Sequence, residues 1–155
     1  MVEFFPIEAV ESTHGKTWQL FSTLDGKNSP HKYFLGLKHQ LETSHGVYVF
    51  HDSRGRAVYV GKAQKQSLWT EMNLAFNRDR KEVQSIKRVS HPSSNVEYAR
   101  PTQTQRRIVR EAVALHEIAS YISAYQIPDG LIAKIEALIV RTLANDLLNV
   151  RMESI

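Results

Sequence analysis

The chain contains no cysteine. That absence excludes disulfides, thiolate nucleophiles, cysteine zinc sites and iron–sulfur clusters. It fits a reducing compartment, and the cytoplasm is the expected location. No apolar run approaches the ~20 residues needed to span a bilayer, so no membrane partner is expected. The N-terminal run MVEFFPIEAVE is acidic early and lacks a basic-then-apolar leader, so no secretory signal is read there. Repeats and low-complexity stretches are missing as well. So are the Walker loop, GxGxxG, GxSxG and HExxH; His116-Glu117 is followed by Ser120 where the last of these needs its second histidine. The seven histidines show no zinc-ligand spacing.

What is present is an ordinary globular balance. Apolar residues make up 42% and charged residues 23% of 155 positions, which suits one domain with its own core. The net charge is +4, unevenly spread. Residues 51–110 hold 13 Lys/Arg against 5 Asp/Glu, and the rest of the chain holds 7 against 11. A basic middle on an acidic frame points to a polyanionic partner, most often nucleic acid.

Residues 23–31 (TLDGKNSPH) read as a loop between a short strand in TWQLFST and a short helix in YFLGLKHQLE. GVYVF (46–50) and AVYV (57–60), joined by HDSRGR, read as a β-hairpin. Pairing Phe50 with Ala57 would set Tyr48 opposite Tyr59, with Cβ atoms about 5 Å apart. Val47, Val49, Val58 and Val60 would then face a core on the other side. A helix is predicted from Ser67, with Leu68, Met72, Ala75 and Phe76 on its buried side. NVEYA (95–99) reads as a third strand. Residues 102–125 are predicted to form a long amphipathic helix with Ile108, Ala112, Leu115, Ala119 and Ile122 as its stripe. Pro128 opens a last helix running to about Ala144, with Leu131, Ile135, Leu138, Ile139 and Thr142 as its stripe and Glu136 at the stripe's edge.

Gly46-Val47-Tyr48 followed by Tyr59-Val60-Gly61 resembles the GIY-YIG nuclease superfamily. An arginine-bearing helix, a late-helix glutamate (Glu136 in KIEALIV) and a following asparagine (Asn149 in LLNVR) come in the order that family requires. Lys62 directly after the glycine is similar to the GKA of the excision-repair nuclease subunit's N-terminal domain. The resemblance spans roughly residues 45–151. It implies a small three-stranded sheet, antiparallel in part and flanked by helices (α/β in the α+β sense), and an endonuclease dependent on one Mg2+ or Mn2+ ion. Residues 1–44 would be an extension packed on this domain, and 102–125 a helical insertion.

The resemblance also implies site residues. Glu136 would hold the cation, since hard cations take oxygen ligands and keep several waters. An arginine fork would match the phosphate. Tyr48 would position or deprotonate water, aided by Lys62 and the metal, because ionising an ordinary phenol at pH 7 costs about 4 kcal/mol. Tyr59 would bond the phosphate or the water. In the excision-repair type an L-x-x-R follows the glycine, whereas counting from Leu68 here reaches Glu71. The nearest arginines are Arg78 and Arg80. Arg78, almost three turns after Leu68, is the one expected on Leu68's side, and Arg80 falls well round the helix. Arg106 and Arg107 are candidate backbone-phosphate contacts. Gly46, Gly61 and Asn149 would support the site, and His45 would be a surface residue or a proton shuttle. The expected activity is metal-dependent hydrolysis of DNA phosphodiester bonds. The alternative is a nucleic-acid-binding module that kept the fold and lost the chemistry. The 102–125 helix would serve DNA contact, packing or homodimerisation.

Overall fold

The computed structural model describes residues 2–11, 17–78, 85–90, 107–112 and 114–143. In chain order the elements are β1 (Val2–Pro6), β2 (Val10–Glu11), β3 (Trp18–Gln19), α1 (Lys32–Glu42), β4 (Gly46–His51), β5 (Ala57–Ala63), α2 (Leu68–Asn77), β6 (Ser85–Ser90), β7 (Arg107–Ala112), α3 (Leu115–Ile118), β8 (Tyr121–Gln126) and α4 (Asp129–Thr142). The main sheet has four strands in the order β1-β8-β4-β5, every neighbouring pair antiparallel. The protein is therefore α+β, with an antiparallel sheet flanked by helices. The sheet has one strand more than the three expected, because β1 from the N-terminal segment pairs with β8. Two short ladders, β2-β3 and β6-β7, lie outside it. Among the described residues no helix is long and apolar enough to cross a membrane.

β4 is one of the sheet's two interior strands, with β8. All six of its residues are buried, as expected where valines cover one face and Tyr48 and Phe50 the other. On the aromatic side Phe50 stacks on Phe76 of α2, with ring centroids 5.8 Å apart and planes 13° from parallel. Leu68, Met72, Ala75 and Phe76 are buried on α2, matching the helical spacing of the sequence. Ser67 caps this helix: its side chain accepts from Thr70 N–H at 3.3 Å, a bond worth ~1 kcal/mol. On the opposite face Val47, Val49 and Val60 pack on Ile132 and Val140 of α4.

The long helix expected over 102–125 does not form. The described part of that span is β7, the single turn α3 and β8. Ile108, Ala112, Leu115, Ala119 and Ile122 fit a helical stripe, but YISAYQ also alternates at period two. Ile122 and Ala124 enter the aromatic core while Ser123 faces the other way. A place between β1 and β4 satisfies both edges of β8, and that tertiary pairing outweighs helical propensity. The basis for dimerisation through such a helix is lost with it. β8 pairs with β4 and adds a third strand to the hairpin; the strand expected over residues 95–99 lies outside the described residues.

His51 ends β4 and is buried. Its Nε2 lies 3.1 Å from Ser123 Oγ, which also accepts from Phe4 N–H at 3.0 Å. The Phe4 ring covers the imidazole at 4.4 Å between centroids. Burial holds the His51 pKa below its ordinary 6.5. The unfolded chain then binds the proton more readily than the folded one. This contribution to stability is complete above about pH 6.5 and is lost as pH falls through the folded pKa. The melting temperature should fall as the pH is lowered from 7.5 towards 5.5, and His51→Gln should flatten that slope; an unchanged slope in the variant would assign it to other groups.

Candidate functional site

The hairpin forms, but its register differs from the expected one. Tyr48 pairs with Gly61 and Phe50 with Tyr59, while His51 pairs with Ala57. The step from Tyr59 to Ala57 against one residue of β4 is a β-bulge at Val58. The bulge turns Val58 to the aromatic side, away from Val47, Val49 and Val60. Tyr48 and Tyr59 are therefore diagonal neighbours on one face, their ring centroids 6.2 Å apart.

Gly61 now has a defined purpose. A Cβ built there would stand 2.3 Å from Tyr48 Cζ, so the phenol ring lies across the space the glycine leaves open. Tyr48 is 2% exposed and Tyr59 9%. The Tyr48 hydroxyl donates to the Glu71 carbonyl of α2 over a long 3.5 Å.

Strand alternation puts Lys62 on the other face with Val60, opposite Val47. There Lys62 Nζ lies 2.9 Å from Glu136 Oε2, with only 26% and 13% of the two side chains exposed. The stripe expected on α4 needs correcting. Leu131, Leu138 and Thr142 are exposed, and the helix ends at Thr142. Ile132, Ile135, Ile139, Val140 and Leu143 form or border the second core. Glu136 thus sits inside the buried stripe, between Ile132 and Val140 at i ± 4, and not at its edge. The reason is a rotation of about one residue, 100°, which lets branched side chains rather than leucines meet the valines of β4 and β5.

The sheet therefore separates the tyrosine rings from the Lys62–Glu136 pair. Among the described residues β5, which carries both Tyr59 and Lys62, is the last strand in the sheet order. Arg78 is not inside α2; it follows Asn77 as the exposed cap residue, in extended conformation. Arg107 lies in β7. Arg80, Arg106 and Asn149 fall outside the described residues.

At the end of the sheet where β4 begins, His45 Nδ1 lies 3.0 Å from Asp129 Oδ1. The pair borders an open, polar cavity of about 500 Å³ between the entry to β4 and the start of α4. Gln64 Nε2 donates to the Asp129 carbonyl at 3.2 Å and ties the end of β5 to the same corner. Sequence reading did not single out Asp129. Its signal was available: an acidic residue directly after Pro128, in the first turn of a helix, where the dipole favours a carboxylate.

Among the described residues no three His, Asp or Glu side chains group together. A cation at Glu136 would rest on one protein carboxylate, which suits Mg2+, an ion that keeps several waters and takes its remaining ligands from substrate phosphate. No family model, no curated protein and no solved structure matches the chain.

Proposed function

We propose that this chain is a metal-dependent endonuclease of GIY-YIG type that hydrolyses DNA phosphodiester bonds. The observation that carries this reading is the Lys62–Glu136 contact, 2.9 Å long and set within an apolar stripe. Removing two charges from water costs more than a hydrophobic pair of similar volume would, so stability alone gives little reason for a pair in that place. Shielded charged groups next to a cleft or edge are where chemistry is commonly found.

The order of elements is compatible with the same reading: a tyrosine-bearing hairpin, then α2 capped by Arg78, then β6, β7, α3 and β8, and then the glutamate helix. The edge position of β5 offers a way for both faces to serve one substrate. A phosphodiester lying along that edge would meet Tyr59 from one side and Lys62 from the other. Glu136 would hold the divalent cation, which supplies charge relief on the phosphate and help for the leaving oxygen. Lys62 would neutralise phosphate charge as a point cation, and Arg78 would clamp the phosphate through two parallel N–H bonds. The basic middle of the sequence suits a DNA partner.

A second reading, a nucleic-acid-binding module without catalysis, is favoured by one observation. The Tyr48 hydroxyl is spent on an α2 carbonyl within the aromatic core. Supercoiled plasmid distinguishes the two. A nuclease nicks it with magnesium and stops when EDTA is added. Salt-sensitive plasmid binding without nicking in either condition would establish the binding module instead.

A further inference from the structure

The chain has two tryptophans, Trp18 and Trp69, and both line one groove between β3 and α2. The groove encloses about 310 Å³, at the lower end of the range for small-molecule sites. It runs along α2 from Trp69 to Asn77, about 12 Å at the helical rise. We propose that this groove is a stacking subsite for an unpaired base of single-stranded nucleic acid, with Trp18 as its platform. The inference rests on the nucleic-acid reading above and adds to it a preference for unpaired strands.

The platform is built in advance. Asn77 Oδ1 accepts from Trp18 N–H and its Nδ2 donates to the Trp18 carbonyl, both at 2.6 Å. One carboxamide thus holds both backbone groups of Trp18 against α2. Asn73 does similar work one turn earlier, its Oδ1 accepting from Leu20 N–H at 3.2 Å. Each of these oxygens has a second lone pair, an acceptor for a ring N–H, such as thymine N3–H, or for the exocyclic amine of another base. With the backbone held in this way, only the two side-chain torsions of Trp18 remain to be ordered when a ring lands on the indole.

Trp18 is nevertheless 37% exposed, and Leu74 beside it is also exposed. The His116 ring stacks on the indole at 6.2 Å between centroids, with planes 27° apart. Charge indicates the class of ligand. Arg78 is exposed directly after Asn77, where the groove ends. Aromatic platforms bordered by cations are how single strands are bound, with bases on rings and phosphates on the charges. In duplex DNA the bases are stacked on one another, so a duplex offers this groove nothing but its backbone.

The test uses the full chain, a labelled short oligo(dT) and a blunt duplex of equal length, at low salt. Both intrinsic fluorophores of the tryptophan type line the groove, so occupancy reads directly as quenching. Oligo(dT) should quench the fluorescence. Trp18→Leu should weaken its binding, measured by anisotropy of the label, by ~10-fold, and more than it weakens duplex binding. Trp18→Phe, which keeps a π-face, should recover most of the loss, and this separates lost stacking from a damaged fold. Oligo(dT) binding without quenching, at the same affinity in Trp18→Leu, would overturn the subsite and leave the nucleic-acid reading standing. Binding of neither oligonucleotide at low salt would overturn that reading, and the subsite with it.

Discussion

Replacing Glu136 with glutamine should lower magnesium-dependent nicking of supercoiled plasmid by ~100-fold or more, the scale seen when one preorganised electrostatic partner of a transition state is removed. Glutamine preserves the volume that packs between Ile132 and Val140 on α4, so the second core keeps its shape. It removes the charge that would hold the cation and that now faces Lys62 Nζ at 2.9 Å. The substitution also has a structural consequence, because a mostly buried ammonium loses its counter-charge. The two effects separate in a second variant. Adding Lys62→Met should recover the melting temperature lost in Glu136→Gln, and nicking should stay low. Wild-type nicking by Glu136→Gln in saturating magnesium would remove Glu136 from the site and, with it, the main support for the nuclease reading.

Gly46→Ala should be the most destabilising single methyl that can be added to the sheet. A Cβ at Gly46 would stand 1.8 Å from the Tyr125 carbonyl oxygen, 2.9 Å from its carbon and 3.1 Å from Gln126 Cα. All three atoms are backbone of β8, the strand to which β4 is paired at that point. No rotamer change relieves such a clash, so β4 and β8 must part where the hairpin enters the sheet. A cost of ~3 kcal/mol or more follows, at the upper end for overpacking. Gly61→Ala meets a side chain, the Tyr48 ring at 2.3 Å, which can shift at the expense of its packing on Phe50. Its cost should be smaller, ~1–3 kcal/mol. Urea melts of the two variants side by side check the order. A Gly46→Ala protein as stable as wild type would mean that the strands approach less closely at this end.

The two glycines show how a hairpin can be legible in a sequence while the purpose of its glycines is missed. GVY and YVG were recognisable as the edges of a hairpin from β-branched and aromatic alternation alone. That Gly46 exists to admit a neighbouring carbonyl, and Gly61 to admit the Tyr48 ring, depends on strands and side chains brought together by the fold. The register differs from the expected one by two residues: one because the turn closes at His51–Ala57 and not at Phe50–Ala57, the other because of the bulge at Val58, which had no separate signature in AVYV. The start and buried face of α2 were legible, because a serine cap and four apolar residues at helical spacing agree with each other and with the core they meet, whereas its end at Asn77, which leaves Arg78 outside the helix, was not. The 102–125 span was not, because its apolar residues satisfy two periodicities at once. Only the free edges of β1 and β4 select the strand.

Composition, charge distribution, the presence of the hairpin and the helices α1, α2 and α4 were legible along the chain, since each depends on residues near one another in sequence. The faces were settled in three dimensions. Tyr59 and Lys62 are three residues apart on one strand, and strand alternation sends them to opposite sides of the sheet. Glu136 reaches Lys62 because a rotation of about 100° in α4 turned it into the buried stripe, where the branched side chains of α4 meet the valines of β4 and β5.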